Sequence, residues 1–362
     1  MSPSKEMKGQ KMADYIRVID IGGDGFRRVD IESRAVEGKI KDSDIIKRDK
    51  ESISDIDSLM QFVFDGVESG KVEGIAYSVA GVIDDHRLIK NSPNAHFLDN
   101  VDLKKKTEGY LKKAGLKSFV FNDMEAAVTG MATLLGNPPY FMGITWSTGI
   151  GLKIWKDGKI LSLSEGGHMI LDLSPFAPLC GCGKRGHVEA VIGGASIKRR
   201  VLTDIEALDL AKNLDIKWGK NKEQGECHPG DFLWNAYLGR YPDEKKEVEE
   251  KRIEWAKNFY NTIVEGMGIF LANIQTLLNL PLIVWKGTVA QKILCLNPKT
   301  EEERIKAKKL QAEQKIRQIM MTRLIGPGWA DGDNLRLVET PGLGDRDAFI
   351  GAAAAFKAIS KE

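Results

Sequence analysis

Four side chains that zinc favours stand in two short segments of this 362-residue chain. The first segment reads Glu165-Gly166-Gly167-His168, and the second Cys180-Gly181-Cys182-Gly183-Lys184-Arg185-Gly186-His187-Val188-Glu189. Zinc takes four nitrogen and sulfur ligands tetrahedrally, and a closed set of four is structural because no position stays open for hydrolysis. His168, Cys180, Cys182 and His187 supply such a set, among the turn formers Pro175, Pro178, Gly181, Gly183 and Gly186. Two thiolates and two neutral imidazoles would cancel the charge of the dication. A loop pinned this way would hold Glu165 and Glu189 in fixed places. Disulfides are the poorer reading, since the chain has four cysteines and two of them form Cys-x-Cys, too close for an unstrained bridge.

Phosphate chemistry is suggested by two glycine turns, Gly22-Gly23-Asp24-Gly25 and Ser147-Thr148-Gly149-Ile150-Gly151. Without a Cβ the backbone can approach an anion closely and converge its amides on it. Asp20, just before the first turn, could hold Mg²⁺ through its water shell, since such sites combine one or two carboxylates with phosphate oxygens. Ser147 and Thr148 offer hydroxyl donors. Either turn alone also reads as an ordinary hairpin turn, and two in one chain put nucleotide binding on equal terms with that reading.

A third group of residues follows a hydrophobic strand: Phe119-Val120-Phe121 ends in Asn122-Asp123 immediately before a helix. Ligands of open α/β sheets bind at the carboxyl ends of strands. There Asp123 could take a proton from a substrate hydroxyl as its oxygen attacks a terminal phosphate. The plainer reading is capping, with Asn122 and Glu125 forming a partial capping box.

These groups need elements to position them. Tyr15–Ile21 and Phe26–Ile31 read as strands joined by the first glycine turn, and the same plan returns around Gly143, ending in the turn Lys156-Asp157-Gly158-Lys159. Between them lie a strand at Ile75–Val82, a helix at Lys104–Ala114 closed by Gly115, a strand at Lys117–Phe121 and a helix at Met124–Leu135. Strands alternating with helices make an α/β fold. From Ala195 the pattern turns mainly helical: the charged run Asp243–Arg252 reads as a solvated helix face, Pro281–Val284 as a buried strand, Thr300–Arg323 as one long helix and Ala348–Ile359 as a closing helix. Length suggests two domains. A net charge of +2, from 53 basic against 51 acidic residues, supplies no bulk attraction to nucleic acid or membranes. The longest apolar stretch, Ile269–Trp285, is broken by polar residues and Pro281, short of a membrane span. Met1–Lys11 shows no secretory pattern, so a cytoplasmic protein is expected.

The order of these motifs resembles the ROK family of sugar kinases and regulators, in the actin-like, hexokinase-like superfamily. Asp20-Ile21-Gly22-Gly23 is similar to its first phosphate motif, Asn122-Asp123 to its catalytic pair, Ser147 through Gly151 to its second phosphate turn and Glu165-x-x-His168 to its sugar-contacting pair. Cys180-x-Cys182 through His187-x-Glu189 is similar to its zinc signature, Asn94 to its sugar-loop asparagine, and Gly344-Asp345 through the alanines after Gly351 to its closing helix. The resemblance implies a two-domain actin-like (ribonuclease H-like) ATPase fold with an interdomain cleft. One domain would be 1–122 with 346–362, the other 123–345 with the zinc loop. It implies an ATP- and Mg²⁺-dependent kinase acting on a hexose or N-acylhexosamine, with Asp123 as base. Asn94, Asn122, Asp123, Glu165, His168 and Glu189 would hold the sugar. Asp20, Gly22, Gly23, Ser147, Thr148, Gly149, Gly151 and Gly287 would hold the nucleotide, and His168, Cys180, Cys182 and His187 a structural Zn²⁺. A dimer or tetramer is common in the family.

Four positions depart from the family. Asp24 stands for the usual Thr and sets a carboxylate among the phosphates, with Arg27 and Arg28 at hand to offset it. Ala80 replaces a Pro, His187 a third Cys, and Lys286 one glycine of the adenosine pair. A second reading follows from the nucleotide-side changes: a catalytically silent sugar-binding or sensing protein. About fourteen mostly polar residues precede Tyr15, too few for the paired helices of a DNA-binding module.

Overall fold

A computed structural model describes residues 15–361 apart from 23–24, 38–39, 68–70, 162–164, 212–213, 220–225, 244, 295–297, 299, 324–334 and 340–346. Gly23, Asp24, Gly344 and Asp345 thus lie outside the described residues. The chain divides into two compact units, Met1–Pro139 with Lys153–Ser162 and Thr340–Glu362, and Tyr140–Leu152 with Leu163–Glu339.

The first unit is built on strands β1 (Tyr15–Gly22), β2 (Gly25–Glu32), β3 (Ile45–Glu51), β4 (Val72–Val79) and β8 (Lys117–Asn122), in the order β3-β2-β1-β4-β8. Three short strands, β5 (Val82–Asp84), β6 (Leu88–Asn91) and β7 (Val101–Asp102), form a separate small sheet. Its helices are α1 (Ile56–Phe64), α2 (Leu103–Ala114), α3 (Asp123–Leu134) and α11 (Asp347–Ser360). Strand side chains alternate between faces, and both faces of β1 are buried. Ile19 and Ile21 join Leu59, Val63, Leu103 and Leu111 from α1 and α2, while Ile16 and Val18 join Ala126, Phe349, Ile350 and Phe356 from α3 and α11. A near-continuous apolar run is what a strand covered on both sides requires.

The returning helix α11 lies very close to α3. A Cβ on Gly130 would overlap the Asp347 carbonyl, and one on Gly351 the Ala126 carbonyl. That approach fastens α3, and with it Asp123, to the first unit, so the break in the chain falls at Pro139–Tyr140, after this helix.

A second five-stranded sheet, β9 (Tyr140–Trp146), β10 (Ile150–Lys156), β11 (Lys159–Ile160), β14 (Leu282–Lys286) and β15 (Arg336–Glu339), runs in the order β11-β10-β9-β14-β15, and all of it except the strand residues from Lys153 to Ile160 belongs to the second unit. A two-stranded pair, β12 (Lys217–Trp218) and β13 (Glu226–Cys227), stands apart. Its helices are α4 (Val188–Ile192), α5 (Gly194–Ala207), α6 (Pro229–Tyr237), α7 (Lys246–Leu278), α8 (Thr288–Leu294), α9 (Glu301–Leu310) and α10 (Ala312–Arg323). Among the described residues no helix is long and apolar enough to cross a membrane.

Two expectations are corrected here. The charged stretch 300–323 is two helices, because exposed Gln311 turns left-handed (φ 46) between Leu310 and Ala312, both buried. One straight helix would set those two about 200° apart. And the run ending at Arg252 is not wholly a solvated face: Arg252 is 1% exposed and donates to the carbonyls of Leu210 (2.7 Å) and Tyr241 (2.7 Å).

Candidate functional site

In the first unit, the carboxyl ends of three parallel strands gather the expected residues. Ile21 of β1 pairs with Val79 of β4, and Val79 with Asn122 of β8, so Gly22 and Asn122-Asp123 sit at one sheet edge. Asp20 is 5% exposed. Its Oδ2 accepts from Arg27 Nε (3.0 Å) and Nη2 (2.6 Å), and its Oδ1 from Ser78 Oγ (2.9 Å). Arg27 stands directly opposite Asp20 across the hairpin, its guanidinium 5.1 Å over the Phe349 ring. Arg28 points to the other face, where it is buried and bonded to Asp49, Asp65 and the Phe62 carbonyl. It is therefore not at hand for the turn.

Three hydrogen bonds fasten the Asn122 carboxamide locally and use one of the two Nδ2 hydrogens. Oδ1 accepts from the amides of Met124 (3.0 Å) and Glu125 (3.2 Å), and Nδ2 donates to the Gly81 carbonyl (2.9 Å). The cap read from the sequence is present, and it sets the first-turn residue Asp123, half-buried, at the start of α3. Gly81 (φ 155) lies so close to strand β6 that a Cβ would overlap the Asn91 carbonyl, and Ser92 Oγ donates to the Ala80 carbonyl (3.1 Å). Asp99 closes the loop by accepting from the Ser92 amide (2.6 Å), and Asn94 is exposed at its tip. Glu125 is a residue that sequence reasoning used only as a cap partner. Burial raises its pKa above the ordinary glutamate value, against the opposing pull of His86 and Lys153.

The second unit repeats the arrangement at the parallel pair β9 and β14. Ser147-Thr148-Gly149 follows β9, with the Ser147 amide donating to the Gly149 carbonyl (3.0 Å). Gly287 (φ 114) packs beneath it, where a Cβ would overlap the Trp146 carbonyl, and Thr288 Oγ1 lies 3.3 Å from Ser147 Oγ. Gly151 stands on β10. Glu189, in the first turn of α4, accepts from the Ile150 amide through Oε2 (3.1 Å) and has Oε1 3.8 Å from Cys180 Sγ. Glu165 is exposed, and its carbonyl accepts from the His168 amide (2.9 Å).

The four expected metal ligands do come together: the donor atoms of His168, Cys180, Cys182 and His187 all lie within 4.8 Å of one another. His168 Nδ1 is 3.3 Å from His187 Nδ1 and 3.6 Å from Cys180 Sγ, and Cys182 Sγ is 3.3 Å from His187 Nδ1. Tetrahedral zinc, with bonds of about 2.05 Å to nitrogen and 2.3 Å to sulfur, would space two nitrogens about 3.3 Å apart and a nitrogen and sulfur about 3.5 Å apart. The set fits that geometry. The loop is held by bridges between Ile170 and His187 and between Leu179 and Arg185. Burial pushes the Cys180 thiol up, and the neighbouring Cys182 and Glu189 add to the rise.

Two α/β units, with Gly22 at the carboxyl edge of one sheet and the Ser147–Gly149 turn at that of the other, fit the two-domain actin-like (ribonuclease H-like) fold. Solved structures of that fold agree with it: a glucokinase from Streptomyces griseus in complex with glucose and AMPPNP is 20% identical at a TM-score of 0.62, over 94% of this chain and 98% of that one. A hexokinase from Thermus thermophilus is 18% identical at 0.64, over 96% and 100%. A transcriptional regulator homologous to an Escherichia coli protein is 20% identical at 0.66, over 96% and 79%. The ROK family profile matches residues 17–358, and the chain belongs to the ROK family. N-acetylmannosamine kinase of Salmonella typhimurium is 32% identical over 157 residues, 41% of this chain and 52% of that protein. The match to the Escherichia coli enzyme is 31% over 159 residues, 42% and 53%. The chain thus spans about half the length of the curated relatives it matches.

Proposed function

We propose that this protein is an ATP- and Mg²⁺-dependent sugar kinase that phosphorylates a hydroxyl of a hexose or N-acylhexosamine. The observation that carries the reading is Asp123 at the head of α3, set by the Asn122 cap at the same sheet edge as Gly22. The Asp123 carboxylate takes the proton of the sugar hydroxyl as that oxygen attacks the terminal phosphorus, and ADP leaves. Gly22, with Gly23, and the turn from Ser147 to Gly151 receive the phosphates, Gly287, packed against the Trp146 backbone, holds that turn beside the nucleotide, and Asp20 would hold a hydrated Mg²⁺, which would offset phosphate charge, in exchange for its bonds to Arg27. Asn94, Asn122, Glu165, His168 and Glu189 accept or donate to sugar hydroxyls.

His168, Cys180, Cys182 and His187 would hold Zn²⁺, which supplies a structural pin and lowers the thiol pKa values. With Nδ1 turned into the cluster, His168 keeps Nε2 for the sugar. A cytoplasmic setting, with reduced thiols and ATP, goes with this reading. N-acetylmannosamine heads the substrate panel because the curated relatives are kinases of that sugar.

The test is ADP release measured over a sugar panel, with Asp123→Asn beside the unaltered protein. Turnover that needs a sugar and falls by at least about 10²-fold in the variant supports the base role; near-normal turnover in a variant that still binds sugar removes it. The second reading, a silent sugar binder, draws on the Arg27–Asp20 pair, which occupies the expected Mg²⁺ carboxylate. Sugar binding without any heat of Mg²⁺-ATP binding at millimolar nucleotide would favour it.

A further inference from the structure

Glu189 occupies an anion position in the second glycine turn. Its Oε2 accepts from the Ile150 amide at 3.1 Å, and a Cβ on Gly149 would overlap that same oxygen. The turn is otherwise fastened from outside: the Ser147 carbonyl accepts from the Gly194 amide (2.8 Å) and the Thr148 carbonyl from the Ala195 amide (2.8 Å), both at the start of α5. A fixed turn that offers an amide to an anion suits a phosphate oxygen, and here a carboxylate of the same chain holds that amide.

We propose that Glu189 stands in for phosphate in the sugar-free protein, so that sugar binding opens the second glycine turn to the nucleotide. This rests on the kinase reading. A carboxylate and a phosphate cannot share one amide: at a few ångströms two such anions repel, and strongly where water is thin. Sugar hydroxyls are donors, and they give the carboxylate a reason to leave Ile150. Glu189 can make only a short move, because α4 follows His187 and Oε1 already reaches Cys180 Sγ at 3.8 Å. Sugar therefore binds first, and ATP is kept from the turn, and from wasteful hydrolysis, until an acceptor is present.

The experiment is calorimetric titration with Mg²⁺ and a non-hydrolysable ATP analogue, with and without saturating sugar. Unaltered protein should bind the nucleotide about tenfold more tightly with sugar, within the usual range for coupled sites. Glu189→Ala should bind it without sugar about as tightly as the sugar-saturated protein does. Glu189→Gln, neutral and of the same shape, should fall between and serves if the Ala variant does not fold. Unchanged nucleotide affinity on adding sugar to the unaltered protein, or affinity in both variants no higher than in the sugar-free protein, overturns the proposal and leaves Glu189 a structural brace. No nucleotide binding in any form, sugar present, overturns the kinase reading and this one with it.

Discussion

Asn122 ties the head of α3 to Gly81: its Nδ2 donates to the Gly81 carbonyl while its Oδ1 caps the helix. One side chain so joins the helix that carries Asp123 to the loop that leads toward Asn94. Asn122→Ala removes the cap and strands the carbonyl, and should lower stability by about 1 to 2 kcal/mol. Thermal denaturation reads that loss. Asn122→Asp, which keeps the capping oxygen, should recover part of the stability, whereas phosphorylation should fall in both variants because each loses the Nδ2 donor that ties the head of α3 to Gly81.

Helical glycines in this chain fall into two kinds, and substitution separates them. Gly351 meets the Ala126 carbonyl at the α3–α11 crossing, so Gly351→Ala should destabilise by about 1 to 3 kcal/mol as the helices are forced apart. Gly109, exposed on α2, has nothing within 4 Å of an added Cβ. Gly109→Ala should raise stability by about 0.5 to 1 kcal/mol through helix propensity alone. A melting temperature for Gly351→Ala that does not fall would contradict the close crossing, and one for Gly109→Ala that does not rise would contradict the propensity argument.

Motifs whose chemistry depends on local spacing were legible before the structure. The Cys-x-Cys and His residues needed only a loop to meet, and the Asn122 cap is a matter of three successive residues. What the sequence did not reveal comes from pairing across strands. Arg27 faces Asp20 only because the hairpin register sets them opposite, and Ser78 reaches Asp20 from 58 positions away. Glu189 likewise reads as a sugar ligand by motif, whereas its hold on Ile150 follows from how α4 lies over the turn. The break at Gln311 escaped because charge patterning continues through it, and only the burial of Leu310 and Ala312 demands the bend.

Glu125 gives stability a pH dependence of known sign. Burial holds its folded-state pKa above the ordinary value, with His86 and Lys153 pulling the other way. A raised carboxyl pKa means that the folded chain binds a proton more tightly than the unfolded chain. The stability so contributed is complete below the unfolded value and is lost as pH rises through the folded one. Glu125→Gln should flatten the dependence of melting temperature on pH over the range just above the ordinary glutamate value, and be the more stable form at neutral pH. A variant whose pH profile parallels that of the unaltered protein would place the dependence elsewhere.

Metal content offers the sharpest check on the Cys/His loop. Ligands must be deprotonated to bind, and the four donor atoms already stand at the spacing of a tetrahedral zinc site. With that spacing, one zinc per chain by elemental analysis is expected, and chelation should lower the melting temperature. At free zinc about a thousandfold above the dissociation constant, binding adds about 4 kcal/mol to the folded state. Cys180→Ser should lose the metal and the chelator effect together. His187→Cys, which adds a thiolate and one negative charge, should keep the metal because tetrahedral zinc accepts either donor. Chelation that leaves the melting temperature of the metal-loaded protein unchanged would mean that the loop stands on its own bridges at Ile170–His187 and Leu179–Arg185.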